Sequence, residues 1–445
     1  MSGDLFIIGA SGTKAYRTAM SAISENITNA STAGYARRTT TMSESGSSTA
    51  TMALYISRGN FGGTEVTSIN RATDPYLDAT VRMSNMALGS ATARLRWMSD
   101  TETALNDTDT GVGKLMTGLF SNIDKLSASP SNTSLRVTTL DSISRIAETF
   151  RQTSADLDEV STRIGTEAQG VVDTANRALT RLADINNSLL RAQPGTSAYA
   201  QLLDGRDAAL SEITTALNVE VSFGAHDTAI ITYGGETLVT GDSAISLSMT
   251  KDADGTLNLS AGGTAVTAPT NGALGGLFAS ADTVAQRHTT LDTLAAQFVT
   301  DVNAWHAQGR TDGTNAPGAA LLSGTSAATM TALITDPTQL ATKSADGTLN
   351  GNLLTAGTIL RGAGSVEQGW TSLIAAQANL LTAVKAEHTT AQGRSDQAVA
   401  AREAVSGVDL DMEAADLLRI QQAYSGCAKI LQVARETVDS ILQII

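Results

Sequence analysis

The sequence is poor in the residues on which disulfide-linked, metal-binding and compact enzymatic folds depend. Its 445 residues include one cysteine and six prolines, and aromatic residues make up 4% of the chain. With Cys427 alone, neither an intramolecular disulfide nor a cysteine pair for zinc or redox chemistry is possible. We expect Cys427 to behave as a small buried hydrophobic residue. This composition, dense in Ala, Thr, Ser and Leu, favours an extended helical assembly protein over a compact enzyme.

The chain also lacks basic clusters and long apolar runs. It has 30 basic and 44 acidic residues, a net charge of −14, and its Lys and Arg residues are scattered singly. This balance disfavours nucleic acid or an anionic membrane as a partner. No run approaches the roughly 18 apolar residues of a spanning helix, so no membrane insertion is expected. A secretory signal has a basic segment, an apolar segment and a cleavage site of small residues. This pattern is not recognisable at the N-terminus, and we expect no cleaved signal.

The strongest pattern that is present lies in residues 410–445. Apolar residues recur there at two heptad positions, which predicts a long helix packed lengthwise against other helices. Asp409 or Asp411 is expected to cap its start. Glu413 is the one polar exception in this seam. The seam residues are Leu410, Leu417, Ile420, Tyr424, Cys427, Leu431, Ala434, Val438, Ile441 and Ile445.

The N-terminal residues 6–15, FIIGASGTKA, allow two interpretations. Gly9, Gly12 and Ala15 have the spacing of a dinucleotide-binding turn, which would make the chain a nucleotide-binding enzyme. That fold needs a second buried strand soon afterwards, whereas residues 24–50 are polar. A helix explains the pattern better, because apolar and small residues fall on one face. That face comprises Gly12, Tyr16, Ala19, Met20, Ile23, Ile27 and Ala30.

Both ends of the chain therefore carry apolar helix faces without a local partner, and we expect them to pair with each other and with copies of themselves. Before assembly we expect the ends to be largely disordered, since an isolated helix gains little stability from propensity alone. The predicted assembly interface comprises Tyr16, Ala19, Ile23, Ile27, Leu410, Leu417, Ile420, Tyr424, Cys427, Leu431, Val438 and Ile441.

Between the ends, hydrophobic periodicity predicts a helical body with a β insertion. Helices are expected over about 74–129, 135–187, 276–305 and 370–405, with Gly165 and Gly170 as soft points in the second. Alternation over 219–272, with a hairpin turn at 252–256, predicts a small β domain. A short hairpin is expected around Met52, Leu54 and Ile56, and residues 325–362 read as irregular, with a turn at Asp336 and Pro337.

The predicted fold class is mainly α with a small inserted all-β domain. We expect an elongated molecule with discontinuous domains, in which the N- and C-terminal helices form a coiled-coil-like assembly domain. The predicted units are residues 1–36 with 406–445 as the terminal assembly domain, 37–69 as a connector, 70–218 with 273–405 as the helical bundle, and 219–272 as the β domain.

No catalytic, cofactor or metal site is predicted. Asp204, Arg206 and Asp207 read as a charged turn with an N-cap and ion-pair role, because no histidine lies near them for acid–base chemistry. The stretch around His306 lacks a nucleophile, so a turn-stabilising hydrogen bond is the better interpretation. The histidines show no paired ligand spacing. They are His226, His288, His306 and His388.

Two stretches carry a resemblance to a known family. Residues 26–38, NITNASTAGYARR, and residues 406–431 resemble the two halves of the signature of flagellar rod, hook and hook-associated axial proteins. The sequence departs from the family signature at Glu25, Ser31, Ala33 and Ile420, and we expect these differences to affect only the details of packing. Residues 202–213 and 303–324 are similar to segments of hook-associated members. The motif residues singled out are Asn26, Asn29, Gly34, Tyr35, Gln421 and Gln422.

The resemblance implies a structural component of the bacterial flagellum at the junction between hook and filament, with terminal helices packed as an inner tube. It implies four partners: copies of the chain, the hook protein, a second junction protein known as hook-associated protein 3, and an export chaperone on the C-terminal helix. It also implies secretion through the flagellar type III apparatus. A flagellin-like filament subunit or a hook subunit is the alternative within the same family.

Overall fold

The computed structural model describes residues 2–32, 34–45, 62–105 and 107–443. The helices are α1 (Ser2–Thr28), α2 (Pro75–Leu105), α3 (Val112–Ala128), α4 (Thr133–Arg191), α5 (Ser197–Ala216), α6 (Gly272–Gln308), α7 (Gly351–Leu360), α8 (Val366–Ser406) and α9 (Leu410–Leu442). The strands are β1 (Arg38–Glu44), β2 (Thr64–Arg71), β3 (Glu220–Phe223), β4 (Ala229–Tyr233), β5 (Glu236–Thr240), β6 (Ser243–Ala244), β7 (Leu247–Lys251), β8 (Leu257–Ala261), β9 (Thr264–Ala265), β10 (Leu322–Ser323) and β11 (Thr331–Ala332). The fold is mainly α with an inserted β region, as predicted.

We call α2–α8 and the strands between them the body, and we call α4 its spine. Asn132 caps α4, its side chain accepting a hydrogen bond from the Leu135 amide at 3.2 Å. The helix then continues for 59 residues without a break at Gly165 or Gly170, and soft points there stay a prediction. Buried side chains hold the helix firmly on both sides of these two glycines. They are Ile164, Ala168 and Val172.

Aromatic rings from three helices meet in the core of the body. Phe150 of α4 lies 6.1 Å from Phe298 of α6, and 6.4 Å from Trp370 of α8 in an edge-on arrangement. All three side chains are buried. The buried apolar cluster runs from Ala93 to Val384 along the chain and contains no residue of α1 or α9. The body therefore has an apolar core that does not include the described terminal helices.

The β insertion consists of two antiparallel sheets, ordered β3-β4-β5-β6 and β7-β8-β9. The predicted turn at 252–256 connects β7 to β8. Two asparagines of α4 fasten the sheets to the spine, because each amide side chain pairs with a strand backbone. Asn186 donates to the Ala229 carbonyl and accepts from the Ala229 amide, both at 2.8 Å. Asn176 does the same with Leu247, at 2.8 and 2.7 Å.

Three local predictions need correction or lie outside the description. Helix α7 falls in 325–362, which was read as irregular; it has only 10 residues and its apolar side chains show no clear helical period. The prediction of a charged turn at Asp204 is wrong, because α5 runs through this position and Thr196 is the N-cap.

The hairpin predicted around Met52, Leu54 and Ile56 lies outside the described residues. The described strands β1 and β2 pair antiparallel, from Arg38 opposite Arg71 to Glu44 opposite Thr64.

The accessible surface is large for the mass of the chain. It amounts to 22542 Å² for 45.9 kDa, whereas a compact monomer of this mass exposes roughly 16,000 Å². No helix within the described residues is both long and apolar enough to span a bilayer.

Candidate assembly interface

The first and last helices pair antiparallel. Gly9 and Gly12 of α1 lie against Leu431 and Cys427 of α9, and Asn26 near the end of α1 contacts Glu413 near the start of α9. Asp409 caps α9, its carboxylate accepting from the amides of Asp411 and Met412 at 2.9 and 3.1 Å. The two ends of the sequence therefore form one element, which we call the terminal pair.

The glycines of α1 are explained by this pairing. A Cβ atom built on Gly12 would lie 2.5 Å from Cys427 Sγ, and one on Gly9 would lie 2.7 Å from Leu431 Cγ. Both distances are far below van der Waals contact, so a side chain at either position would force the facing side chain to move or the helices to separate. Both glycines lie inside a continuous helix with no preceding strand among the described residues. The alternative of a nucleotide-binding turn is therefore wrong.

The predicted interface residues divide into three groups by exposure. Ala19 and Ile23 are buried, and Leu410 and Ile441 are exposed. The remaining members are half-buried within the single chain. They are Tyr16, Ile27, Leu417, Ile420, Tyr424, Cys427, Leu431 and Val438. Burial raises the pKa of the Cys427 thiol. A role for these residues in contacts between subunits stays a prediction.

A buried asparagine joins the terminal pair to the connector that follows α1. Asn26 is fully buried, and its Oδ1 accepts from the Tyr35 hydroxyl at 2.9 Å and from the Arg38 amide at 2.8 Å. Its Nδ2 donates to the Arg38 carbonyl at 2.9 Å and to Glu413 Oε2 at 3.0 Å. Both oxygen lone pairs and both N–H groups of this side chain are thereby occupied in a site without water access.

Glu413, the polar exception in the predicted seam, is 1% exposed. Besides Asn26, its carboxylate receives a hydrogen bond from Arg37 Nε at 2.6 Å, and this ion pair satisfies the buried charge. The Arg37 amide also donates to the Ser406 carbonyl at 2.9 Å, where the chain leaves α8. We call Asn26, Tyr35, Arg37, Arg38 and Glu413 the hub. Sequence periodicity flagged Glu413 as an exception, but its partners are distant in sequence.

The other motif residues have different positions. Asn29 closes α1, donating to the Glu25 carbonyl at 2.9 Å. Gly34 has a φ of 80°, a left-handed conformation that favours glycine, and so turns the chain towards the hub. Gln421 and Gln422 are exposed on α9. Burial raises the pKa of the Tyr35 hydroxyl to about 12, so it stays protonated and donates to Asn26 at neutral pH.

Ion pairs attach the hub and the β1–β2 ribbon to α5 of the body. Arg38 binds Asp204 at 2.9 Å and also contacts Glu25. Arg71 binds Asp204 and Asp207, each at 2.8 Å. Burial raises the pKa of the Asp204 carboxyl, an effect that the two arginines oppose. The ion-pair role predicted for Asp204 and Asp207 is confirmed, whereas their partners Arg38 and Arg71 left no local signal in the sequence.

Beside the hub lies a cleft of about 820 Å³. Its walls come from α2, α4, α5 and α8, and its apolar lining includes Val81, Val171 and Val399. Arg402 and Asp207 stand among its charged residues. No group of three or more His, Cys, Asp or Glu side chains suited to a metal ion occurs in the part of the chain that the structure describes.

Two histidines lie close to groups with which they could react or pair. His306 is buried: the Ala341 amide donates to its Nε2 at 2.9 Å, and Nδ1 lies 2.6 Å from the Ala319 carbonyl oxygen. Burial lowers its pKa, which suits this neutral structural role, and the predicted turn-stabilising bond is confirmed. His288 lies 3.1 Å from Ser154 Oγ and 3.5 Å from Asp292, but Ser154 is fully buried inside α4 and no substrate reaches it.

Two family models place the chain in a class of flagellar proteins. Residues 403–444, which contain α9 and the approach to it, match the family model described as the C-terminal region of the flagellar basal body rod FlgEFG proteins. Residues 98–322, slightly more than half of the chain, match the model described as the helical domain of the flagellar hook-associated protein FlgK. The chain belongs to the FlgK flagellar hook-associated family.

Curated relatives from several bacteria are named flagellar hook-associated protein 1. Flagellar hook-associated protein 1 of Salmonella typhimurium is 27% identical over 314 residues, which cover 67% of this chain and 56% of the relative. The protein of the same name from Escherichia coli K12 is 28% identical with the same coverage. That of Bacillus subtilis 168 is 24% identical, over 52% of this chain and 45% of the relative. The chain thus spans about half the length of these relatives.

A solved structure shares the fold. The flagellar hook junction protein FlgK from Burkholderia pseudomallei superposes with a TM-score of 0.66. The match covers 75% of this chain and all of that chain, at 13% sequence identity. Three quarters of the chain therefore share the fold of a solved structure.

Proposed function

We propose that the chain is a structural subunit of the bacterial flagellum that self-assembles into a thin layer joining the hook to the filament. The observation that carries the proposal is the terminal pair, which lies outside the apolar core of the body and leaves large apolar side chains of α9 in water. Membership of the hook-associated family supports the same role. The proposed role is structural and requires no catalytic group or cofactor.

The exposed side chains supply a driving force for assembly. Leu418 and Val433 are 62% and 54% exposed and lie on the side of α9 opposite its seam. Burying a side chain of this kind contributes roughly 1.5 to 3 kcal/mol. Each subunit of a layer repeats these contacts, so their sum grows with the number of neighbours. We infer that packing between subunits, rather than helix propensity, stabilises the terminal pair in the assembly.

The same surface defines the proposed partners. Copies of the chain would pack their terminal pairs into an inner tube, with the hook protein on one side of the layer and hook-associated protein 3 on the other. Before assembly, an export chaperone would cover α9 while the chain passes through the flagellar type III apparatus. The support for the chaperone is the set of apolar side chains that α9 leaves exposed. It comprises Leu410, Met412, Leu418, Val433, Ile441 and Leu442.

The test replaces an exposed leucine of α9 with aspartate. Leu418→Asp should leave the body folded but prevent filament growth on hooks, because a charge would have to be buried between subunits. Leu354→Asp is the matched control, since Leu354 of α7 is 65% exposed and lies outside the terminal pair. Each variant is expressed in cells without the native copy, and filaments are counted by electron microscopy alongside swimming assays.

Near-UV circular dichroism of the purified variants verifies that the body is intact. If Leu418→Asp supports filaments as well as Leu354→Asp does, the proposed interface is wrong. A second measurement separates a junction protein from a filament or hook subunit: the purified chain should stop at limited layers, and long homopolymers would contradict the junction role.

A further inference from the structure

The apolar seam of α9 does not by itself define how far α9 is shifted along α1. Leu417, Tyr424, Leu431 and Val438 follow one another at seven-residue steps, so a shift of one heptad places similar side chains at similar points. Of the buried residues of α1, Ala15, Ala19 and Ala22 offer little that would distinguish one alignment from the next. Gly9 and Gly12 favour the observed alignment by leaving room for Leu431 and Cys427, and a polar contact can add to that selection.

We propose that Glu413, through its contact with Asn26, sets the register in which α1 and α9 pair. Glu413 is the one charged member of the seam, and its carboxylate has a donor in the observed register alone. A shift of seven residues in one direction places it opposite Ala19, and a shift in the other direction carries it past Thr28, the end of α1. A buried carboxylate without a donor is strongly unfavourable, which disfavours the first shift. The second shift is disfavoured because the carboxylate loses its hydrogen bonds from Asn26 and Arg37.

The reference point for this register is fixed to the body. Asn26 is held by both backbone groups of Arg38, and the Arg38 guanidinium binds Asp204 of α5. The Glu413 carboxylate is held from its other side by Arg37, the neighbouring residue of the connector. The alignment of α9 is therefore specified relative to the body and not only relative to α1. This inference concerns the single chain and goes beyond the proposed flagellar role.

The single cysteine of the chain makes the register measurable. In the observed register, a Cβ atom on Gly12 lies 3.4 Å from Cys427 Cβ, close to the roughly 3.5–4.5 Å found in disulfides. Gly12→Cys therefore reports the observed register by forming a disulfide with Cys427. Leu5→Cys and Ala19→Cys report the two registers shifted by one heptad. Each variant of the full chain is oxidised at low concentration, and intramolecular disulfides are quantified by non-reducing electrophoresis and peptide mass spectrometry.

With Glu413 present, the disulfide at position 12 should form at least about tenfold faster than those at positions 5 and 19, because they lie one heptad away. In a Glu413→Leu background this preference should fall at least about fivefold, while the summed yield of the three disulfides stays the same, since leucine completes the apolar seam. Glu413→Gln keeps one acceptor oxygen, which can receive the hydrogen bond from Asn26 but not that from Arg37 as well, and should retain part of the preference. Leu417→Ile, an apolar exchange in the same seam, is the matched control and should also retain it.

Two results would overturn the inference. If Glu413→Leu keeps the full preference for position 12, the register is set elsewhere. If Glu413→Leu abolishes all three disulfides, Glu413 supplies affinity rather than register. Neither result depends on assembly into flagella, so a failure here is distinct from a failure of the proposed junction role.

Discussion

The substitution Gly12→Ala tests whether the terminal pair depends on the close approach of α1 and α9. The added Cβ would lie 2.5 Å from Cys427 Sγ, so the helices must separate or the cysteine side chain must rotate. Gly426, on the exposed surface of α9, provides the matched control, because nothing lies within 4 Å of a Cβ built there. The same chemical change is thus made at a crowded and at an open position of the same helix pair.

Two opposing effects determine the expected magnitude. Replacing a glycine inside a helix with alanine gains about 1 kcal/mol of helix stability. Overpacking a close contact costs about 1–3 kcal/mol. We therefore expect Gly12→Ala to weaken the terminal pair by about 1 kcal/mol, whereas Gly426→Ala strengthens it by up to about 1 kcal/mol. The two variants should differ in sign.

Millisecond hydrogen exchange on the purified chain measures the effect, because protection of α9 amides reports the local opening equilibrium. A change of 1 kcal/mol corresponds to about a fivefold change in protection. Adding Cys427→Ala to Gly12→Ala removes the crowding sulfur and should restore protection at least to the wild-type level. Equal gains in protection for Gly12→Ala and Gly426→Ala, or no recovery with Cys427→Ala, would refute this account of the helix contact.

Three further outcomes follow from burial in the hub and the body. Glu413→Ala leaves Arg37 and Asn26 without their partner and, unlike leucine, leaves the seam position unfilled, so it should weaken the terminal pair by about 1–3 kcal/mol; trypsin cleavage within α9 should accelerate. Phe150→Ala should lower the free energy of unfolding of the body by about 3–5 kcal/mol, measured by urea denaturation. Burial raises the pKa values of Tyr35 and Tyr199 to about 12. In the unfolded chain the tyrosine hydroxyls ionise near pH 10. The stability that these two side chains contribute is therefore present below pH 10 and lost as the pH rises to 12. An alkaline titration followed by circular dichroism measures this loss.

Each of these outcomes has a control. Asp416→Ala removes a half-exposed carboxylate 3.7 Å from Arg37 and should change trypsin cleavage little, since surface ion pairs contribute weakly. Phe6→Ala, at an exposed position, should leave the urea midpoint unchanged. An unfolding midpoint that does not move between pH 9 and pH 12 would contradict the assignment for the tyrosines.

The elements with a regular local pattern were predictable from the sequence. The seam from Leu417 to Val438 repeats every seven residues, and the alternation in β7 and β8 repeats every two, so each pattern specifies its element within a short window. The long helices α4, α6 and α8 were found for the same reason. The observed ends of these helices differ from the predicted ends by a few residues, because caps such as Asn132 and Asn271 act at single positions.

The contacts of the interface could not be predicted in the same way. Glu413 departs from the seam pattern, and its partner Asn26 lies at the opposite end of the sequence. Arg71 and Asp204 are likewise far apart, and neither stretch contains a signal for the other. The sequence pattern favours a helix at Gly12 over a nucleotide-binding turn, but it does not indicate that Gly12 lies against Cys427. Only three-dimensional packing shows this contact.

The way in which the terminal pair is attached explains why ordering of the ends and assembly are expected to be coupled. The attachment is polar, because the Arg37 amide binds the Ser406 carbonyl at 2.9 Å and the Ala72 amide binds the Arg37 carbonyl at 2.8 Å. The apolar core of the body ends at Ala93 and Val384 and gains nothing from α1 or α9. Hydrogen bonds at the hub therefore orient the terminal pair relative to the body. The rest of the two helices would need contacts outside the single chain for further stabilisation. In α9 only Glu413 and Ala434 are buried by the single chain, so the proposed contacts between subunits would bury more of this helix, and we expect the body to fold without them.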